Sequence, residues 1–94
     1  MDKQFIVIVY DISNDKRRTK LHDKLKDFGV AVQYSVFECL LDNDDFKEVK
    51  KQVNAIIRKT LDHVRFYILC AACQNRIEVT GRQEITRDEN AYVV

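Results

Sequence analysis

A chain of 94 residues with a net charge of +1, 46% apolar and 33% charged residues has the size and mix of one globular domain. That composition argues against general disorder, and the longest apolar run, about six residues, is far too short to cross a membrane. The N-terminus lacks a signal-peptide pattern and the three cysteines form an odd set, so the expected compartment is the reducing cytoplasm.

Residues 4–11 open the chain as a strand, and the continuous apolar run after Gln4 predicts burial on both faces. Ser13, Asn14 and Asp15 offer N-cap side chains to a following helix, where Leu21, Leu25 and Phe28 recur at i, i+4 and i+7. Gly29 stands where a C′ glycine would end that helix. Residues 30–41, rich in Val, Tyr and Phe, read as extended, either one kinked strand or two short ones. Asn43 or Asp44 can cap a second helix, with Phe46, Val49, Val53, Ile56 and Ile57 at helical spacing. Residues 64–71 make another strand, and Ile77 to Thr80 a short last one ending at Gly81. A polar stretch then leads to the apolar tail Ala91-Tyr92-Val93-Val94, which the sheet edge of a partner subunit would bury.

This order predicts an α+β, ferredoxin-like βαββαβ fold: a mainly antiparallel sheet with two helices on one face. Residues 1–81 form the domain, and residues 82–94 a tail whose short strand contributes to a dimer.

Several chemistries are excluded. The only glycines are Gly29 and Gly81, so there is no phosphate-cradling loop, and there is no H-E-x-x-H motif. His22 and His63 are isolated, with His22 expected on the solvated side of the first helix. Cys70 and Cys73 have C-x-x-C spacing, but Cys70 ends a strand-like run instead of opening a helix. The pair therefore reads as small apolar residues near a strand end, reduced like Cys39. Charge is more informative in its distribution than in its total. Residues 14–27 hold six Lys/Arg against three Asp, and residues 47–59 five Lys/Arg against one Glu. Such local basic faces suit a phosphate backbone.

The remaining constellation is Tyr10-Asp11, then Lys16, Arg17, Arg18 and Lys20, then Ser35 and Phe37. Asp11 closes the first strand, where open sheets commonly place sites, although a turn residue bonding nearby backbone N–H groups is the plainer reading. Mg²⁺ needs one or two carboxylates plus water and phosphate oxygens. One Asp per chain is thin, but an isologous dimer brings Asp11 and its symmetry mate together, and a divalent ion relieves their repulsion. Cations opening a helix oppose its dipole, and Arg forks there suit a bound polyanion. Tyr34 and Phe37 read first as core or interface, with stacking on a base as the alternative.

"YDISNDKRRTKLHDKLKDFG" followed by "VQYSVFECLL" resembles the signature of the CRISPR-associated protein two family, the small spacer-acquisition proteins. "RFYILCAACQNRIEVTG" is similar to the later strands of that family, so the resemblance covers about residues 4–81. It implies a ferredoxin-like homodimer whose C-terminal strand pairs with the partner. Asp11 matches the metal-binding Asp at the dimer interface, the expected catalytic residue. Tyr10, Arg17, Arg18, Ser35 and Phe37 match positions tied to nucleic-acid contact or activity. The implied activity is a Mg²⁺-dependent endonuclease acting on RNA or duplex DNA. The implied partner is the CRISPR integrase, CRISPR-associated protein one, for which the dimer scaffolds incoming duplex DNA. Two other functions compete. One is a stand-alone, toxin-like metal-dependent ribonuclease. The other is a small-ligand sensor, which requires a preformed apolar pocket.

Overall fold

The computed structural model describes residues 3–81. Its first strand, β1 (Gln4–Asp11), buries Ile6, Ile8 and Tyr10 on one face and leaves Val7 and Val9 half-buried on the other. Burial on both faces was the expectation. Both long helices lie on the side of the even-numbered residues; on the other face Phe5 is fully buried while Val7 and Val9 are half-buried, so the expectation holds there in part.

Asn14 caps α1 (Asp15–Leu25), its side chain accepting from the Arg17 N–H at 2.9 Å. The helix drops Leu21 and Leu25 into the core. It stops at Lys26, three residues before Gly29, and Gly29 opens β2 (Gly29–Gln33) without a positive φ. The helix-ending role expected for Gly29 is therefore absent. A Cβ at this position would sit 2.4 Å from both Cys39 Sγ and the Glu38 carbonyl oxygen. The glycine is needed because two backbones approach closely, not because of its φ freedom. Gly29→Ala is expected to destabilise the domain by about 1–3 kcal/mol, since a backbone oxygen cannot rotate away. Urea unfolding at a fixed m-value would measure it.

Residues 30–41 resolve into two strands, β2 and β3 (Val36–Leu41), joined by a turn at Tyr34-Ser35 and bulged between Ala31 and Gln33. Asp42, one residue before the expected caps, accepts from the Asp45 N–H at 2.8 Å and starts α2 (Asn43–Ile56). α2 buries Val49 and Val53, and Phe46 meets Phe66 edge-on at 5.7 Å. β4 (His63–Leu69) ends at a single helical turn, α3 (Ala71–Gln74), which has Cys70 as its N-cap. Cys70 thus opens a helix after all, and both C-x-x-C thiols are exposed instead of packed. Ile77 to Thr80 form no strand, and the apolar tail lies outside the described residues.

The sheet order is β2-β3-β1-β4, every neighbour antiparallel. This is the ferredoxin-like arrangement read from the element order. One core joins Ile6, Ile8, Tyr10, Phe37 and Cys39 of the sheet to Leu21, Leu25, Val49 and Val53 of the helices. Neither α1 nor α2 packs on the opposite face. One row across it runs Val30, Glu38, Val7, Tyr67 in register, with Val30 and Tyr67 exposed. Within that row one carboxylate oxygen of Glu38 is buried without a hydrogen-bond partner.

Candidate nucleic-acid and metal interface

Side chains alternate across a strand, so Tyr10 and Asp11 point to opposite faces of the sheet. Tyr10 goes to the helix side, where it is 3% exposed. Burial holds its phenol above the ordinary range, the nearby Arg18 charge opposing this, so it stays a hydrogen-bonding O–H at neutral pH. The hydroxyl donates to the Tyr34 carbonyl at 3.3 Å and lies 3.2 Å from His22 Nδ1. One phenolic proton cannot serve both, so with Tyr34 as its acceptor the imidazole N–H donates to the phenol oxygen. His22 also meets the Phe37 ring edge-on at 5.1 Å. It is half-buried against the sheet and not on the solvated side where the helix pattern put it. A cavity of about 320 Å³ opens beside this network, lined by Tyr10, Arg18, Thr19, His22 and Tyr34. Its lining mixes polar groups with the tyrosine rings, unlike the apolar pocket a small-ligand sensor requires.

Asp11 is on the uncovered face. Its side chain is 84% exposed and accepts no backbone hydrogen bond among the described residues. The turn-residue reading therefore has no support. Its register partner across β4 is His63, whose Nε2 stands 3.6 Å from Asp11 Oδ2. Among the described residues no group of three or more His, Cys, Asp or Glu is placed to hold a metal ion. The described residues of one chain thus provide no closed cage. The free carboxylate does fit a hydrated Mg²⁺ that takes one carboxylate from each of two copies and fills its remaining positions with oxygen ligands.

The two arginines that open α1 are both occupied. Arg17 donates from Nε to Asp62 Oδ2 at 2.7 Å and from Nη2 to Asp62 Oδ1 at 3.0 Å. Asp62 is the one buried charged residue among those described, and it also accepts from the Arg58 N–H at 2.9 Å. Arg18 donates from Nη1 to the Ile12 carbonyl at 2.9 Å and pairs with Asp15. Phe37 is 0% exposed and stacks at 6.4 Å on Tyr10. Its assignment to nucleic-acid contact is corrected here: a ring with no exposed face cannot stack on a base. Arg17, also expected at a nucleic-acid contact, has its fork engaged by the Asp62 carboxylate. Ser35 is half-buried in the β2–β3 turn, its carbonyl accepting from the Tyr10 N–H at 3.1 Å. The cations left exposed at this helix end are Lys16 and Lys20, and Tyr34, 87% exposed, lies in the β2–β3 turn across the cavity from Arg18 and Thr19.

The Arg17 guanidinium, then the Arg58 N–H, hold the Asp62 carboxyl below the usual carboxylate range. A depressed folded-state pKa adds stability above the unfolded value and loses it as pH falls through the folded one. The stability of the parent is therefore expected to decline from about pH 4 downward, and that of Asp62→Asn less steeply. Thermal melts across the acid range would show the two curves converging.

Sequence reasoning did not single out Asp62, and it set His22 and His63 aside as isolated. His22 was within reach, because it lies one turn after Arg18 and shares its helix face. Asp62 and His63 became visible only with the β1–β4 register.

The sequence model of the family described as CRISPR associated protein Cas2 matches residues 4–77. The chain belongs to the Cas2 family. It is 38% identical over 88 residues to a protein of Synechocystis sp. named CRISPR-associated endoribonuclease Cas2 3, covering 94% of this chain and 96% of that protein. Among solved structures it is similar to Streptococcus pyogenes Cas2, with a TM-score of 0.73 at 32% identity over 82% of this chain and 99% of that one. A chain of a partial Cas6-RT-Cas1–Cas2 complex superposes with a TM-score of 0.71 at 28% identity, covering 81% of this chain and 89% of that one. Cas2 membership agrees with the resemblance read from the Tyr10-Asp11 and Arg17-Arg18 motif. No helix among the described residues is long and apolar enough to cross a membrane.

Proposed function

We propose that this Cas2 chain works in CRISPR adaptation as a homodimer that scaffolds duplex DNA for the Cas1 integrase, and that Asp11 supports Mg²⁺-dependent phosphodiester cleavage. The observation that carries it is Asp11 itself: an exposed carboxylate at the end of a core strand, paired only with His63 among the described residues, on the sheet face opposite the two long helices. Val7, Val9, Val30 and Tyr67 offer apolar surface on that face to a second copy. A two-fold arrangement there would set Asp11 against its mate. The second edge of β4 pairs with no strand among the described residues, which leaves it available to the partner's apolar tail.

A Mg²⁺ held by the two Asp11 carboxylates would supply charge to polarise a phosphodiester or activate water. His63, paired with Asp11, orients that carboxylate at the end of β1. Lys16 and Lys20 at the start of α1, with Lys47, Lys50 and Lys51 on α2, provide exposed cations for phosphate contact, and Tyr34 an aromatic face for a base. Tyr10, Arg18 and Ser35 shape this surface from beneath. The names of the relatives favour an endoribonuclease, and a stand-alone ribonuclease would use the same Asp11 site without an integrase. The compartment consistent with either role is the cytoplasm.

If the dimer grips duplex DNA through six or more phosphates, affinity should fall about 10³-fold or more between 50 mM and 200 mM salt. Fluorescence anisotropy with a labelled duplex measures this. Binding that barely changes over that range would overturn the scaffold reading.

A further inference from the structure

Cys70 and Cys73 are unused by anything above. They lie at i and i+3 on the single turn of α3, where side chains three apart are neighbours. Cys70 Sγ accepts from the Cys73 N–H at 3.5 Å, so the chain turns tightly around the first sulfur. Both thiols are exposed, whereas Cys39 is buried under Gly29. The position is also a joint: α3 connects β4 to residues 77–80, which lie against Val32, Gln33, Val36 and Glu38 across a cavity of about 340 Å³.

We propose that Cys70 and Cys73 form a reversible dithiol–disulfide site, with Cys70 the attacking and Cys73 the resolving thiol, oxidised by a low-molecular-weight disulfide. The Cys70 thiolate attacks one sulfur of the small disulfide, forming a mixed disulfide and expelling one thiolate. Cys73 then gives up its proton and attacks Cys70 Sγ, expelling the second thiolate. Two protein thiols are oxidised and one small disulfide is reduced to two thiols, so atoms and electrons balance. The roles follow from the contacts. The backbone N–H of Cys73 and its thiol both donate to Cys70 Sγ, lowering the Cys70 thiol from its ordinary value and raising that of Cys73. Burial, with the Glu38 charge adding to it, pushes the Cys39 thiol up to about 12 and keeps it out of the reaction. Oxidation ties the two ends of the α3 turn and fixes the direction in which residues 77–80 leave it.

The test is equilibration of the full chain with glutathione disulfide at graded ratios to glutathione, followed by intact mass and thiol titration in denaturant. The expected product has lost two hydrogen atoms, retains one titratable thiol, and maps to a peptide linking Cys70 and Cys73. Cys73→Ser should trap glutathione at Cys70, and Cys70→Ser should trap several-fold less at Cys73. Three free thiols after oxidation, a link through Cys39, or dimers crosslinked by disulfide in place of the internal bond would overturn the proposal. Both positions are exposed, so serine is tolerated, and near-UV circular dichroism of each variant checks the fold.

Discussion

Asp11→Asn is expected to lower Mg²⁺-dependent cleavage by more than about 100-fold, beyond the roughly 10–100-fold loss typical of outer-shell partners. The substitution keeps the shape of the side chain and one carbonyl acceptor but removes the charge that holds the ion. Because the carboxylate is exposed and carries no backbone contact, the melting midpoint and the dimer fraction should match the parent. Cleavage and integration, assayed side by side on the same preparation, separate the two parts of the proposed function. Loss of cleavage with integration retained assigns Asp11 to nuclease chemistry and the rest of the dimer to scaffolding. Cleavage unchanged in a rigorously purified variant would trace the activity to a contaminant and remove the metal site altogether.

Phe37→Ala should have the largest effect on stability. The ring is fully buried between Tyr10 and His22, at 6.4 Å and 5.1 Å. Truncating such a ring costs about 3–5 kcal/mol, against a total of roughly 5–15 kcal/mol for a domain of this kind. The variant would be marginally folded or unfolded, and any loss of nucleic-acid binding would follow from that. Phe37→Leu keeps most of the volume, so it should recover both the cooperative urea transition and the binding. A Phe37→Ala protein with parental stability but no binding would instead restore the ring to the interface. Motif membership alone cannot separate these outcomes, because a core residue beneath a site and a residue within it are equally essential to activity.

That distinction marks where sequence reading succeeded and where it stopped. The fold was legible because it rests on period and punctuation: the run after Gln4, the Leu21–Leu25 spacing, and the Phe46–Val49–Val53 stripe each point to one element type. At the proposed site, the exposure of Asp11 at the end of β1 agrees with its place after the apolar run, and its pairing with His63 was not visible. What the sequence could not show was which face each residue occupied and which charge was already spent. Tyr10 and Asp11 are adjacent in the chain and on opposite sides of the sheet. The basic run at α1 reads as four equivalent cations until β4 brings Asp62 beneath Arg17. Gly29 looked like a helix stop because it follows a helical pattern, yet its reason is the close approach of its own strand, β2, to β3 beside it in the sheet.

The Arg17–Asp62 pair changes how loss-of-function data on this protein should be scored. The pair spans the joint between the start of α1 and the start of β4, one residue from His63 and hence beside Asp11. A substitution at Arg17 would loosen the start of α1 from the Asp11 end of the sheet while also deleting a positive charge. The two causes give the same phenotype in a binding assay. Asp62→Asn deletes a negative charge, so simple electrostatics would have it tighten binding to a polyanion. If it phenocopies Arg17→Ala instead, the arginine is an architectural brace, and its place in the motif records the geometry of the fold.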